Sequence, residues 1–318
     1  MNKKEKRRRI LRESILTALT TLLLLGASLL VFAWFHHARP AKGQSAGIVV
    51  ASPTPYAPES PGVPAPSPSG AEASALPTAT PAPLDLMAAY GDRFSPQEQK
   101  SENGYTGAKL HFTLSRVQYG TGKDAVYYLA DIYVGDVRCL KTMLAEDTYG
   151  NQDAGIVIRN GVVHREEKSD FDVCVLYYDG VMETYSPQEF SLETAVSRGA
   201  WQAWSFGPML LDGEGNPLPD ARLNTSKNIR RANPRVGLGY YAPGHYCFIV
   251  VDGRTDEASG LTLEAFGQLF ADLGCKAAYN LDGGRSSFMV YDGNVLNDPY
   301  KGGRSVSDCI LLCSDPEA

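Results

Sequence analysis

Tyr246-Cys247-Phe248-Ile249-Val250-Val251-Asp252-Gly253-Arg254 and, thirty residues on, Lys276-Ala277-Ala278-Tyr279-Asn280-Leu281-Asp282-Gly283-Gly284 frame the stretch that decides the fold. Each begins as a continuous apolar run of strand length and breaks at an Asp-Gly turn. Between them Thr262 is placed to cap a helix whose Leu263, Phe266, Leu269, Phe270 and Leu273 fall on one face, and Gly274 ends it. Strand, helix, strand at this spacing predicts a right-handed crossover between parallel strands, which brings Asp252 and Asp282 out at one sheet edge. If the strands are neighbours, the carboxylates lie about 4.8 Å apart, and an intervening strand roughly doubles that.

Working upstream, three hairpins are expected, each on a two-residue turn. They are Ile156 to Val163 around Asn160-Gly161, Val173 to Tyr178 before Asp179-Gly180, and Phe288 to Tyr291 before Asp292-Gly293. Ala125 to Val134 also reads as strand. The predicted class is α+β or mixed α/β: a β-rich single domain with hairpins and a C-terminal βαβ unit.

The other end of the chain has a different character. Residues 1–13 are a basic tail, and the apolar run from Ser14 to Phe35 has 22 residues, long enough to cross a hydrocarbon core of about 30 Å. It reads as a transmembrane signal-anchor rather than a cleavable signal. The basic flank then stays in the cytoplasm and the rest lies outside, which places the protein in the cell membrane as a single-pass chain. Residues 36–83 are rich in Pro, Ala and Ser, a composition that cannot bury enough apolar surface to fold, so a disordered stalk is expected.

Residues 84–318 are long enough for one domain with a core. They are also acidic, holding 21 Lys and Arg against 32 Asp and Glu, a net charge of −11. That balance argues against a nucleic-acid partner and requires locally placed arginines for any anionic ligand. Six cysteines lie on the exported side, where disulfides are permitted. Cys174, Cys247 and Cys309 sit in apolar runs as small hydrophobes, and no Cys/His cluster suits zinc.

Two further segments supply cations in Gly/Pro/Ser surroundings suited to gripping phosphate: Asn233-Pro234-Arg235 and Gly303-Arg304-Ser305-Val306-Ser307. With Ser205-Phe206-Gly207-Pro208, Val251-Asp252-Gly253-Arg254, Gly260-Leu261-Thr262-Leu263 and Asn280-Leu281-Asp282-Gly283-Gly284-Arg285-Ser286-Ser287, these form an ordered series. The series resembles the phosphodiester glycosidase family, in its bacterial exopolysaccharide-associated branch, from roughly Tyr127 to Leu312. The family includes the domain that uncovers mannose 6-phosphate by removing N-acetylglucosamine from a phosphodiester.

The resemblance implies hydrolysis between a sugar's anomeric carbon and a phosphodiester, with a phosphate-containing glycan as substrate. It makes Asp282 and Asp252 the acid/base residues, their roles undivided. Arg235, Arg254 and Arg304 are implied as phosphate ligands. Asn280, Ser286, Ser287 and Ser307 would hold sugar hydroxyls or phosphate oxygens, and Gly283 and Gly284 would give backbone access. No cofactor is required, although oxygen-rich acidic turns suit a hard cation such as calcium or magnesium.

Two departures from the family pattern stand out. The usual third glycine after Asp282 is Arg285, which cannot take a left-handed backbone cheaply. The Asn-Gly-Asp strand that relatives carry upstream of the first hairpin is missing, and Leu144 to Gly155 reads as a shortened join. The alternative to an enzyme is therefore a catalytically impaired relative that binds glycan or phosphate, or acts as a scaffold, at the cell surface.

Overall fold

A computed structural model describes residues 84–120, 125–144 and 155–317. The segments expected to form the basic tail, the membrane anchor, the stalk and the shortened join (145–154) lie outside the described residues. No helix among the described residues is long and apolar enough to cross a membrane.

Among the described residues sixteen strands follow one another. The first ten are β1 (Gln99–Ser101), β2 (Gly104–Thr106), β3 (Leu110–Tyr119), β4 (Ala125–Val134), β5 (Leu140–Leu144), β6 (Ile156–Arg159), β7 (Val162–Val163), β8 (Val173–Tyr177), β9 (Met182–Tyr185) and β10 (Ala200–Trp204). The remainder are β11 (Arg235–Ala242), β12 (His245–Val251), β13 (Ala277–Asn280), β14 (Val290–Tyr291), β15 (Asn294–Val295) and β16 (Asp308–Leu312). They build a seven-stranded sheet in the order β1-β2-β3-β4-β12-β11-β13 and a five-stranded sheet in the order β7-β6-β10-β8-β9, with β14-β15 and β16-β5 as two-stranded ladders.

The helix Leu263–Asp272 forms as its sequence predicts. The Thr262 side chain accepts from the Ala265 amide, and Leu263, Phe266, Leu269 and Phe270 are buried. They pack on one face of the large sheet with Cys247, Ile249, Val251 and Ala278. Burying each such side chain contributes about 1.5–3 kcal/mol. The opposite face, with Ile132, Val134, Tyr246, Val250 and Tyr279, packs on Cys174, Leu176 and Trp204 of the smaller sheet.

The predicted crossover needs one correction. β12 and β13 run in the same direction, but β11 lies between them and pairs antiparallel with both. Among the described residues, every ladder of this sheet is therefore antiparallel. β11 is hard to see in sequence because Gly237 and Gly239 interrupt it, and the structure gives their reason. A Cβ at 237 would stand 2.9 Å from the Phe266 ring, and one at 239 would stand 2.6 Å from the Cys247 sulfur. The glycines thin the strand so that the helix can lie on it. Because β11 and β12 are joined by a short local turn, they close on each other at low entropic cost, and β13 takes the edge left free.

The Asn160-Gly161 and Asp292-Gly293 hairpins carry the expected pairs of left-handed residues, with φ of 49° and 77° in each. The middle hairpin is longer than its two-residue prediction. β8 ends at Tyr177 and β9 starts at Met182, with the Tyr177 amide bonded to the Val181 carbonyl and Gly180 at φ 82°. Asn160 also does more than turn the chain. Its side chain accepts from the Thr142 amide at 3.0 Å and donates to the Thr142 carbonyl at 2.9 Å, so it ties the smaller sheet to β5 as one more ladder rung.

Candidate functional site

β13 delivers Asn280, Leu281 and Asp282 to the sheet edge, and the chain then tightens. The Gly284 amide bonds the Pro234 carbonyl at 3.1 Å, and the Ser286 amide bonds the Gly283 carbonyl at 3.1 Å. A Cβ at Gly283 would meet the Pro234 oxygen at 2.4 Å, so only glycine lets the turn lie this close to Asn233-Pro234-Arg235. Gly284 takes the left-handed conformation at φ 63°. Arg285 follows it inside a short 3-10 turn (Gly284–Ser286) and is not among the left-handed residues, so the strain expected of an arginine in place of the third glycine does not arise. Its Nε donates to the Gly303 carbonyl at 2.8 Å.

Asp282 is about half exposed. Arg304, arriving just before β16, donates from Nη2 to Asp282 and from Nε to the Ser286 hydroxyl at 2.6 Å. One guanidinium thus holds a carboxylate and a hydroxyl in fixed relation at an open surface. Arg254 adds a second cation from the end of β12. It donates to the Asn233 side chain, its guanidinium lies 5.4 Å from the Tyr300 ring centre, and its Nη1 would be 3.7 Å from a Cβ at Gly284.

Asp252 stands elsewhere. With β11 between their strands, the two aspartates emerge about 10 Å apart by twice the strand spacing, so the neighbouring pair is not formed. Asp252 is buried and accepts from the Asn297 side chain at 3.0 Å and from the Asp298 amide at 3.1 Å. Asn297 in turn donates to the Ser287 carbonyl at 2.9 Å and accepts from the Met289 amide at 2.9 Å. Asp252 therefore ties the segment from Ser287 to Asp298 onto β12.

Burial pushes the Asp252 carboxyl above its ordinary value, against the lowering effect of its Asn297 and Asp298 bonds. A carboxyl raised in this way adds stability below the unfolded value of about 3.9 and loses it as pH climbs through the raised folded value. Asp252→Asn can keep both short bonds through its one remaining oxygen while removing the titration. The melting temperature of the variant minus that of the wild type is expected to grow between pH 4 and pH 7, and a flat difference would refute the assignment.

The remaining predicted residues divide. Arg235 is buried, with Nε on the Leu261 carbonyl at 2.9 Å and Nη2 on the carbonyls of Ile229, at 2.7 Å, and Arg231. Its guanidinium is committed to the protein backbone, and burial together with the nearby Arg254 charge pulls its pKa down to about 10. Ser307 donates to its neighbour Asp308 at 2.8 Å. Asn280 donates to the carbonyls of Gly207 and Leu281, while its oxygen and the Ser287 hydroxyl are buried without a protein partner, as is the Ser205 hydroxyl. Ser286, Gly283, Gly284, Arg254 and Arg304 gather with Asp282. Among the described residues, no three His, Cys, Asp or Glu side chains converge as a metal site.

Sequence reasoning missed Asn297 and Asp172. Asp172 is buried and accepts from the Met209 amide and the Asn224 side chain, both at 3.0 Å, and burial raises its pKa. Its carbonyl accepts from the Tyr279 hydroxyl, which itself accepts from the Phe206 amide at 2.7 Å. The Ser205-Phe206-Gly207-Pro208 motif is thereby pinned against β13. The only signal for either residue was an ordinary turn composition, Asp170-Phe171-Asp172 and Asn297-Asp298-Pro299.

The phosphodiester glycosidase family profile matches residues 139–313, which include every residue gathered around Asp282. A prophage-derived uncharacterized protein of Bacillus subtilis (strain 168) is 30% identical over 163 residues, half of this chain but a quarter of that protein. Among solved structures, the catalytic domain of zebrafish N-acetylglucosamine-1-phosphodiester alpha-N-acetylglucosaminidase, auto-inhibited by its pro-peptide, superposes with a TM-score of 0.50 at 16% identity, covering 70% of this chain and 86% of that one. A hypothetical protein from Synechocystis follows with a TM-score of 0.40 at 11% identity, covering 64% of this chain and 62% of that one. The profile spans more than half of the chain, and by that match the chain belongs to the phosphodiester glycosidase family.

Proposed function

We propose that the domain hydrolyses the bond between a sugar's anomeric carbon and a phosphodiester in a cell-envelope or exported glycan, held at the membrane by its N-terminal helix. The observation that carries this reading is the exposed Asp282 carboxylate fixed by Arg304, with Ser286 and Arg254 beside it. Asp282 activates a water, whose oxygen bonds to the anomeric carbon as the carbon–oxygen bond to phosphate breaks. Free sugar and a phosphate monoester result, and the water's proton passes through Asp282 to the departing phosphate or to solvent. Arg304 and Arg254 balance the phosphate charge, Ser286 meets a phosphate or sugar oxygen, and Asp252 acts by holding the loop.

One observation favours a binding role instead. Hydrolysis of glycosidic bonds commonly uses two accessible carboxyl groups, and here Asp252 is buried. The deciding test is release of free sugar from a sugar 1-phosphodiester by residues 84–318, beginning with N-acetylglucosamine, the sugar named for the zebrafish enzyme. Release supports the hydrolase. Binding without release would leave the glycan-binding role.

A further inference from the structure

Among the described residues, ion pairs engage Arg138, Arg198, Arg230 and Arg304, but none engages Arg254, Arg285 or Lys301. These three exposed cations share one rim. Arg254 and Lys301 each lie 5.4 Å from the centre of the Tyr300 ring, and Arg285, which follows Gly284 beside Arg254, is anchored to the Gly303 carbonyl. The carboxylate of the same turn, Asp282, is already held by Arg304.

The backbone adds an independent observation. Four described non-glycine residues are left-handed: Asn160 and Asp292 in hairpin turns, where their side chains suit that conformation, and Arg254 and Lys301 at φ 59° and 53°. Two cations of one rim are thus held in backbone that Arg and Lys disfavour, as happens at ligand clamps. A phosphodiester carries a single negative charge, which Arg304 with Arg254 can balance. Arg285 and Lys301 then remain as surplus positive charge in a strongly acidic domain.

We infer that Arg285 and Lys301, continuing the rim from Arg254, form a second anion subsite that takes a further phosphate of the same glycan. The substrate is then a chain of repeating sugar phosphates rather than a lone diester. This rests on reading the Asp282 turn as the diester-cleaving site.

The test compares a methyl diester of N-acetylglucosamine 1-phosphate with a trimer of N-acetylglucosamine 1-phosphate units, using the full chain and the double variant Arg285→Gly, Lys301→Gly. Glycine relaxes the backbone at 301, so folding is not put at risk there. The double variant is expected to raise KM for the trimer about tenfold, equivalent to two lost charge contacts of modest strength, and to change KM for the methyl diester less than twofold. Equal changes on both substrates, or none on the trimer, would overturn the subsite. Should neither substrate turn over, calorimetric titration with the trimer decides it separately. A tenfold weaker affinity in the double variant supports the subsite while only the hydrolase reading falls, and equal affinity, or no binding by the wild type, overturns the subsite.

Discussion

Asp282→Asn is expected to lower sugar release by about 10²- to 10⁴-fold, the range for removing a positioned acid/base group. The substitution preserves shape and leaves an oxygen to accept from Arg304, so the clamp on Ser286 should persist. The pair it weakens is about half exposed on both sides, and such pairs contribute at most about 1 kcal/mol, so the melting temperature should shift by no more than a few degrees. Loss of turnover with an intact melting curve is the outcome that assigns chemistry to this carboxylate. Undiminished release would remove Asp282 from the reaction and direct attention to the buried carboxyls, Asp252 and Asp172.

Gly260→Ala should have the largest effect on the folded state. Gly260 is buried at φ 86°, and a Cβ there would stand 2.3 Å from the Asn233 carbonyl oxygen and 2.4 Å from its carbon. Both atoms belong to backbone bridged to Leu261 by reciprocal bonds of 3.1 Å, so no side chain can swing away to make room. Left-handed backbone costs about 1–2 kcal/mol and overpacking about 1–3 kcal/mol more. A fall in melting temperature on the order of 10 °C follows for a domain of this size.

The damage should also reach the site, because Asn233 holds Arg254 and Pro234 holds the Gly284 amide. Gly274→Ala is the control. It has the same backbone sign, φ 83°, but nothing within 4 Å of its Cβ. It should lose only the backbone contribution and keep its activity. If the two variants melt alike, the close approach at Gly260 has no energetic weight.

Residues 246–282 carried most of what could be read in advance, and they also show where reading stopped. The apolar run ending at Val251, the Thr262 cap and the one-sided face of Leu263, Phe266, Leu269 and Phe270 are local patterns whose period or chemistry is written along a few consecutive residues, so strand, helix and strand appear where expected. Which strand neighbours which is a matter of pairing between distant segments. β11 was concealed by glycines whose purpose, admitting Phe266 and Phe270, exists only once the helix is packed.

The same division runs through the site. Asp282, its glycines and Ser286 announce themselves by residue type and adjacency, and Arg304 by its Gly/Ser context. The separation of Asp252 from Asp282, the burial of Arg235 under three carbonyls, and the rim of Arg254, Arg285 and Lys301, which no ion pair among the described residues engages, are set by packing. Sequence by itself determined most of the elements, the family and the residue content of the candidate turn, because those follow from local periodicity and ordered motifs. Tertiary structure alone decided which charges meet, since burial and strand order determine whether an ion faces solvent, a partner or a backbone carbonyl.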